Sequence, residues 1–355
     1  MHRKIHRATL FELKVLEMSS NPIITTVVDV GARYGRHPSW DQFSGELHYI
    51  AVEPDSEEAQ KLKAQYPERN YEVLETALGE VNASRTLYLT KHRGFSSFHQ
   101  PDPENYYFKN VCPKESAIEN TIEVKTERLD DIAHSKQLHI DFLKVDTEGS
   151  DLEVLRGSSA CLHDTVIGLR VELHFQQCFK GQALFPEIFN YLRENHFTLV
   201  NLDYFGRGEP QHHLYSSPNP VLPDIQRYGV LFGADGVFIK PYEWLTKTWK
   251  EGDSLARSVF KWAWFALLNN APDLALNGLQ TFFNSHDSKD ISIETRQSKL
   301  YKGLSRHCLG YLGKYRSRPE SHEWALAQEL SAKWFGINLK SGSGYWDQMR
   351  QLDQK

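Results

Sequence analysis

Asp29, Gly31 and Gly35 are the first residues whose types and spacing bear on chemistry. They lie in VVDVGARYGRH, residues 27–37, where a β-branched run ends in an aspartate and meets two glycines spaced G-x-x-x-G. Glycine lets a backbone approach a ligand or turn through positive φ, and parallel α/β sheets bind ligands beyond the carboxyl ends of their strands. An ordinary strand–helix turn has the same pattern, so the glycines alone are a weak signal. Glu53 strengthens it. This carboxylate ends the next apolar run, HYIAVE, 22 residues after Gly31, an interval suited to binding the hydroxyls of a ribose. The loop reads G-A-R-Y-G rather than G-x-G-x-x-G, and no G-x-x-x-x-G-K-[ST] occurs. An adenosyl ligand without phosphates is therefore expected over NAD or ATP, with S-adenosylmethionine the leading case. Asp29 would then stand near its cationic methionine end.

Four further residues can serve a group transfer. Asp146 ends the run DFLKVD, Glu148 follows in DTEGSD, and Glu172 and His174 end the run VELHF. Methyl transfer to a hydroxyl needs a base within hydrogen-bond reach. Histidine has an ordinary pKa suited to that task, and Glu172 alternates with His174 on one face of a strand. With 16 histidines in the chain, a structural histidine is the competing reading. The same four residues offer oxygen and nitrogen donors for Mg, Mn or Zn. No H-E-x-x-H pattern accompanies them, so a divalent ion is not favoured and no metal ligand is assigned. Ser96 and Ser97 in GFSSF either contact a ligand or shape a loop. The aromatic residues of 94–108, with Trp40, either stack on a sugar face or pack a lid.

Strand-like and helix-like segments alternate from residue 23 to 241, as in a parallel α/β sheet with helices on both faces. Residues 82–127 form a long excursion from that alternation. After Pro241 the texture turns helical. The expected organisation is an N-terminal helical segment over 1–22, an α/β domain over 23–242 and an α-helical C-terminal domain over 243–355. Trp244, Trp249, Trp262 and Trp264 read as core rather than as a carbohydrate platform. The longest apolar stretch, SVFKWAWFALL, carries Lys261 and reads as a buried helix, so no transmembrane segment is expected. A net charge of −5 argues against nucleic acid. Four widely spaced cysteines fit a reducing, cytoplasmic setting.

An ordered series of blocks resembles the FkbM family of S-adenosylmethionine-dependent methyltransferases. The blocks are DVGARYG (29–35), VEPDSEEAQKL (52–62), TALGE (76–80), LYL (87–89), GFSSF (94–98), TERLDDI (126–132), IDFLKVDTEGSDLEVLRG (140–157) and VELHF (171–175). The resemblance covers roughly residues 24–241 and implies a Rossmann-like class I methyltransferase fold. It implies that Asp29, Gly31 and Gly35, with Ala32 and Arg33 between them, form the cofactor loop. Glu53 would bind the ribose with Pro54 and Asp55 beside it, Ala77 and Leu78 would approach the adenine, and Asp146 would face the reaction centre. Ser96, Ser97 and Glu148 would meet the acceptor, with Asp146, Glu172 and His174 as catalytic candidates. The family commonly has asparagine where this chain has Arg33. The activity implied is O-methylation of a hydroxyl on a small molecule, a sugar or a glycan precursor. The competing class is a noncatalytic protein on the same fold that recruits partners through its helical C-terminal domain. Residues 243–355 are also the expected surface for any homo-oligomer.

Overall fold

The computed structural model describes residues 22–110, 112–204, 213–214, 230–249 and 252–353. The expected N-terminal helix falls on residues outside that set. The run ITTVVDV forms strand β1 (Ile24–Val30), buried at every position after Ile24, as a continuous β-branched run must be when both sheet faces are covered. Strand β2 (Glu46–Val52), helix α1 (Ser56–Gln65) and strand β3 (Tyr71–Leu74) follow. Asp55 caps α1, its carboxylate accepting the Glu57 and Glu58 N–H groups, which are among the unpaired donors of a helix start.

The excursion over 82–127 is a second, three-stranded sheet. Strands β4 (Ala77–Leu78), β5 (Ala83–Thr90) and β6 (Ile118–Glu127) lie in the order β4-β6-β5, with the short helix α2 (Tyr106–Asn110) between β5 and β6. YEVLETAL looks like one strand in the sequence, but its two halves belong to different sheets. The main path resumes with α3 (Leu129–Lys136), β7 (Phe142–Val145), α4 (Asp151–Gly157), α5 (Ser159–Asp164), β8 (Gly168–His174), α6 (Phe185–Glu194) and β9 (Thr198–Tyr204). A two-residue antiparallel pair, β10 (His213–Leu214) with β11 (Val230–Leu231), precedes β12 (Gly233–Ile239).

The main sheet has the order β3-β2-β1-β7-β8-β12-β9. β7 runs parallel to β1 and β8, β2 runs parallel to β3, and β12 runs antiparallel to β8 and β9. The fold is Rossmann-like: the chain winds outward from β1 through β2 and β3, then crosses back to β7. That reversal opens a crevice at the carboxyl ends of β1 and β7.

Alternate residues of the sheet feed two cores. Val28, Val30, Leu143, Val145 and Val171 pack with Leu155, Leu162, Ile188 and Leu192 from α4, α5 and α6. On the other face Phe142 stacks on Phe265, ring centroids 4.7 Å apart and nearly parallel, and meets Trp40 at 5.4 Å. Phe265 comes from helix α8 (Gly252–Leu268), which follows α7 (Tyr242–Thr248). Lys261 of α8 reaches both Asp141 oxygens at 2.8 Å, and Asp141 also accepts the Thr26 N–H at 2.8 Å. A buried lysine is tolerable only when so paired.

Close contacts therefore group residues 25–43 and 47–282 into one compact unit, and residues 44–46 with those from 283 onward into another. That grouping divides within helix α9 (Pro272–Ser285). Periodicity marked α8 as a buried helix but could not tell which surface buries it. The second unit contains α10 (Ile293–Gln297), α11 (Lys299–Leu312), α12 (His322–Phe335) and α13 (Ser343–Asp353). Ser298 and Ser321 cap α11 and α12, and Leu309, Trp324, Leu339 and Tyr345 lie in its core. No helix among the described residues is long and apolar enough to cross a membrane.

Candidate functional site

The strand register brings the acidic residues together. Val145 of β7 pairs with Val171 of β8, so the next step along both strands sets Asp146 beside Glu172, with His174 two residues beyond on the same face. Gly31, at the end of β1, closes over this point. Its φ is +80°, and a Cβ there would lie 1.8 Å from the Asp146 carbonyl oxygen. The Gly31 and Ala32 N–H groups donate to the Val52 carbonyl at 3.1 and 3.2 Å. Backbone crowding against Asp146 is thus what demands the glycine.

A cavity opens at these strand ends. Gly31, Arg33, Glu53, Pro54 and Asp55 line it, together with Ala77 and Leu78. Asp146, Glu148, Ser96 and Ser97 line it as well. Asp29, Ala32 and Gly35 are not among its lining residues. Asp29 alternates with Val28 and Val30 and so faces away from the helices they pack on. Its carboxylate accepts from the Tyr49 hydroxyl and pairs with Lys144 Nζ at 3.1 Å. Lys144 reaches Asp146 Oδ2 at 3.2 Å, so Lys144 links Asp29 to the site. Gly35, at φ +86°, packs against Tyr66.

Arg33 is held by its neighbours. Its guanidinium donates to Asp55 at 3.0 Å and stands 3.8 Å from Glu53. Glu53 Oε1 accepts the Asp55 N–H at 2.9 Å, and burial raises the Glu53 carboxyl above its ordinary pKa. Leu87, Leu89, Thr76, Tyr34 and Ser150 also line the cavity. The alternation in LYL could have located the two leucines. Ser150 stands at the cap position of helix α4. Its hydroxyl makes no capping bond and is buried without a partner, while the Asp151 carboxylate ties the turn by accepting the Thr147 and Gly149 N–H groups at 3.0 and 3.2 Å.

A second cavity shares Asp146 and Glu148 with the first. Glu172, His174 and Cys178 line it, and five aromatic residues form its walls: Phe95, Tyr107, Phe108, Phe179 and Phe232. Asp146, Glu148 and Glu172 each present a carboxylate oxygen within 4.8 Å of the others. Burial and the neighbouring carboxylates push Glu148 and Glu172 well above the usual range, and Asp151 up to about 6. Burial lowers His174 to about 4. The imidazole is therefore neutral at physiological pH and a weaker base than its residue type suggested. The loop hydroxyls are committed to protein: Ser97 donates to the Glu148 carbonyl at 2.6 Å, and Ser96 accepts the Thr90 N–H. His99 is engaged by Glu153 and the Lys180 carbonyl. Trp40 belongs to the core beside Phe142.

The sheet is Rossmann-like, with acidic residues at its switch point and two cavities that share Asp146 and Glu148. Residues 29–199 match the family model of the methyltransferase FkbM domain. No curated protein matches the sequence. One similar solved structure is titled Burkholderia thailandensis 1,6-didemethyltoxoflavin-N1-methyltransferase, with bound 1,6-didemethyltoxoflavin and S-adenosylhomocysteine. It is 13% identical, with a TM-score of 0.29 over 61% of this chain and 70% of that one.

Proposed function

We propose that the protein transfers the methyl group of S-adenosylmethionine to a hydroxyl of a small acceptor, a sugar or a glycan precursor. The observation that carries this reading is that two cavities meet at Asp146 and Glu148. The first suits the adenosyl ligand. Glu53 supplies a buried carboxylate for the ribose, Val52, Leu78, Leu87 and Leu89 supply apolar wall for the adenine, and Ser150 supplies an unpaired hydroxyl. Asp146 places negative charge near the sulfonium. The second holds the acceptor, whose ring faces the aromatic walls.

The acceptor oxygen attacks the methyl carbon as the carbon–sulfur bond breaks. S-adenosylhomocysteine leaves, and the hydroxyl proton passes to a carboxylate lining the acceptor cavity. Asp146 and Glu172 are the proton acceptors in this reading, and His174 is a neutral hydrogen-bonding neighbour. Holding the two reactants in line and excluding water supply most of the acceleration. Aromatic walls favour an acceptor with one apolar face, which a pyranose ring offers.

The test is calorimetry of the full chain with S-adenosylmethionine, S-adenosylhomocysteine and NAD, then methyl transfer from labelled cofactor to a panel of hydroxylated acceptors. Binding of both adenosyl ligands without NAD, and an O-methyl product, is expected. Failure to bind either adenosyl ligand, or a product methylated on nitrogen, refutes the reading.

A further inference from the structure

We propose that Asp146, Glu148 and Glu172 hold one hard divalent cation, Mg2+ or Mn2+, at the acidic end of the aromatic cavity. Their three carboxylate oxygens all lie within 4.8 Å of one another. Opposite oxygens of a six-coordinate shell stand about 4–5 Å apart, twice a metal–oxygen distance of about 2.0–2.6 Å. Small side-chain rotations therefore complete three positions of such a shell.

Glu172 supplies a second, independent observation. The residue is 7% exposed and lines the cavity, yet its Oε2 is buried without any hydrogen-bond donor. His174 Nε2 stands 3.8 Å from its other oxygen, too far for a hydrogen bond. A buried carboxylate oxygen without a donor is destabilising, and a bound cation removes that deficit.

The local charge balance points the same way. Lys144 is the cation paired with Asp146, and it divides its single charge between Asp146 and Asp29. Glu148 and Glu172 add two more carboxyl groups on the other side. A divalent ion neutralises them together. The donor set is oxygen, which favours Mg2+, Mn2+ or Ca2+ over thiophilic metals.

The role of the ion rests on the methyl-transfer reading. Three protein ligands leave coordination positions for an acceptor oxygen, and a coordinated hydroxyl gives up its proton more readily. Binding of the ion itself does not depend on that reading. Glu172 lines the acceptor cavity and not the adenosyl cavity, so the two can be tested separately.

The experiment titrates Mn2+ into the chelator-stripped full chain, reading free Mn2+ by electron paramagnetic resonance. One ion per chain, displaced by Mg2+, is expected. Glu172→Gln and Glu148→Gln should each weaken binding about tenfold or more, because ligand charge sets affinity. Calorimetry of the Glu172→Gln protein should give S-adenosylhomocysteine affinity within about twofold of wild type. The two variants are near-isosteric and remove buried charge, and circular dichroism verifies their fold. No stoichiometric Mn2+ binding by the wild-type chain overturns the proposal. So does binding that neither variant weakens. Mn2+ binding without adenosyl binding would leave the cation site standing and remove the methyl-transfer reading. Adenosyl binding without Mn2+ would do the reverse.

Discussion

Glu53→Gln tests the cofactor assignment at its most specific point. The Glu53 side chain is 5% exposed, and its Oε1 already accepts the Asp55 N–H at 2.9 Å. That leaves Oε2 for a ribose hydroxyl. Glutamine keeps an oxygen for the Asp55 amide, so the loop and the cap on α1 survive. What it loses is one charged acceptor, with an amide N–H2 group turned towards the ribose. A hydrogen bond to a charged group contributes about 1.5–3 kcal/mol, which at 1.4 kcal/mol per decade is about 10–100-fold in affinity. Calorimetry with S-adenosylhomocysteine at neutral pH reads this loss, and thermal unfolding confirms the fold. The sign of the pH effect follows too. Burial raises the Glu53 pKa and the ionised form is the better acceptor, so wild-type affinity falls as pH drops through that raised value. The variant should lack this acid limb. Affinity within about twofold of wild type would refute the ribose assignment.

Three further predictions concern the frame around the site. Gly31→Ala forces an alanine to φ +80° against the Asp146 carbonyl. The backbone alone costs about 1–2 kcal/mol, and both stability and adenosyl affinity should fall; unchanged affinity would show that the β1 loop does not position the cofactor. Lys261→Met leaves Asp141 with the Thr26 N–H and, 3.7 Å away, the His139 imidazole, but without its buried cation. Urea unfolding should register about 3–5 kcal/mol lost, largely recovered when Asp141→Asn is added, and a single-variant loss below about 1 kcal/mol would count against the buried pair. Burial lowers the pKa of Lys240 from 10.5 to about 8, where its amine meets the Asn195 carbonyl and the Phe197 and Trp244 rings. Because the folded value is depressed, its contribution is full above pH 10.5 and is lost as pH falls through 8. Relative to Lys240→Met, wild type should lose about 1–2 kcal/mol across that window; parallel pH profiles would contradict the shift.

Much of the frame is written locally. The β-branched run ending at Asp29, the positive-φ glycines and the DTEG turn are short-range features, and each forms where the sequence places it. Glu53, Ala77, Leu78 and Asp146 reach the cavity because strand ends and the turns after them are set by patterns a few residues long. The match to the methyltransferase FkbM domain model was legible for the same reason, since its blocks lie at those strand ends.

Tertiary structure decided what depends on partners distant in sequence. Asp29 has the right type and position in the chain, yet strand alternation and the β1–β7 register turn it towards Lys144. YEVLETAL divides between two sheets because Thr126 and Glu127, far along the chain, pair with its second half. Helix α8 joins the sheet's unit because Phe265 and Lys261 meet Phe142 and Asp141, which no helical period can announce. His174 becomes a neutral imidazole through burial, a property of its surroundings rather than of its residue type. The approach of Asp146, Glu148 and Glu172 to within 4.8 Å likewise follows from β7 lying beside β8. Sequence by itself chose the residues at each strand end; the pairing of strands chose which of them share a cavity and which charge each carries.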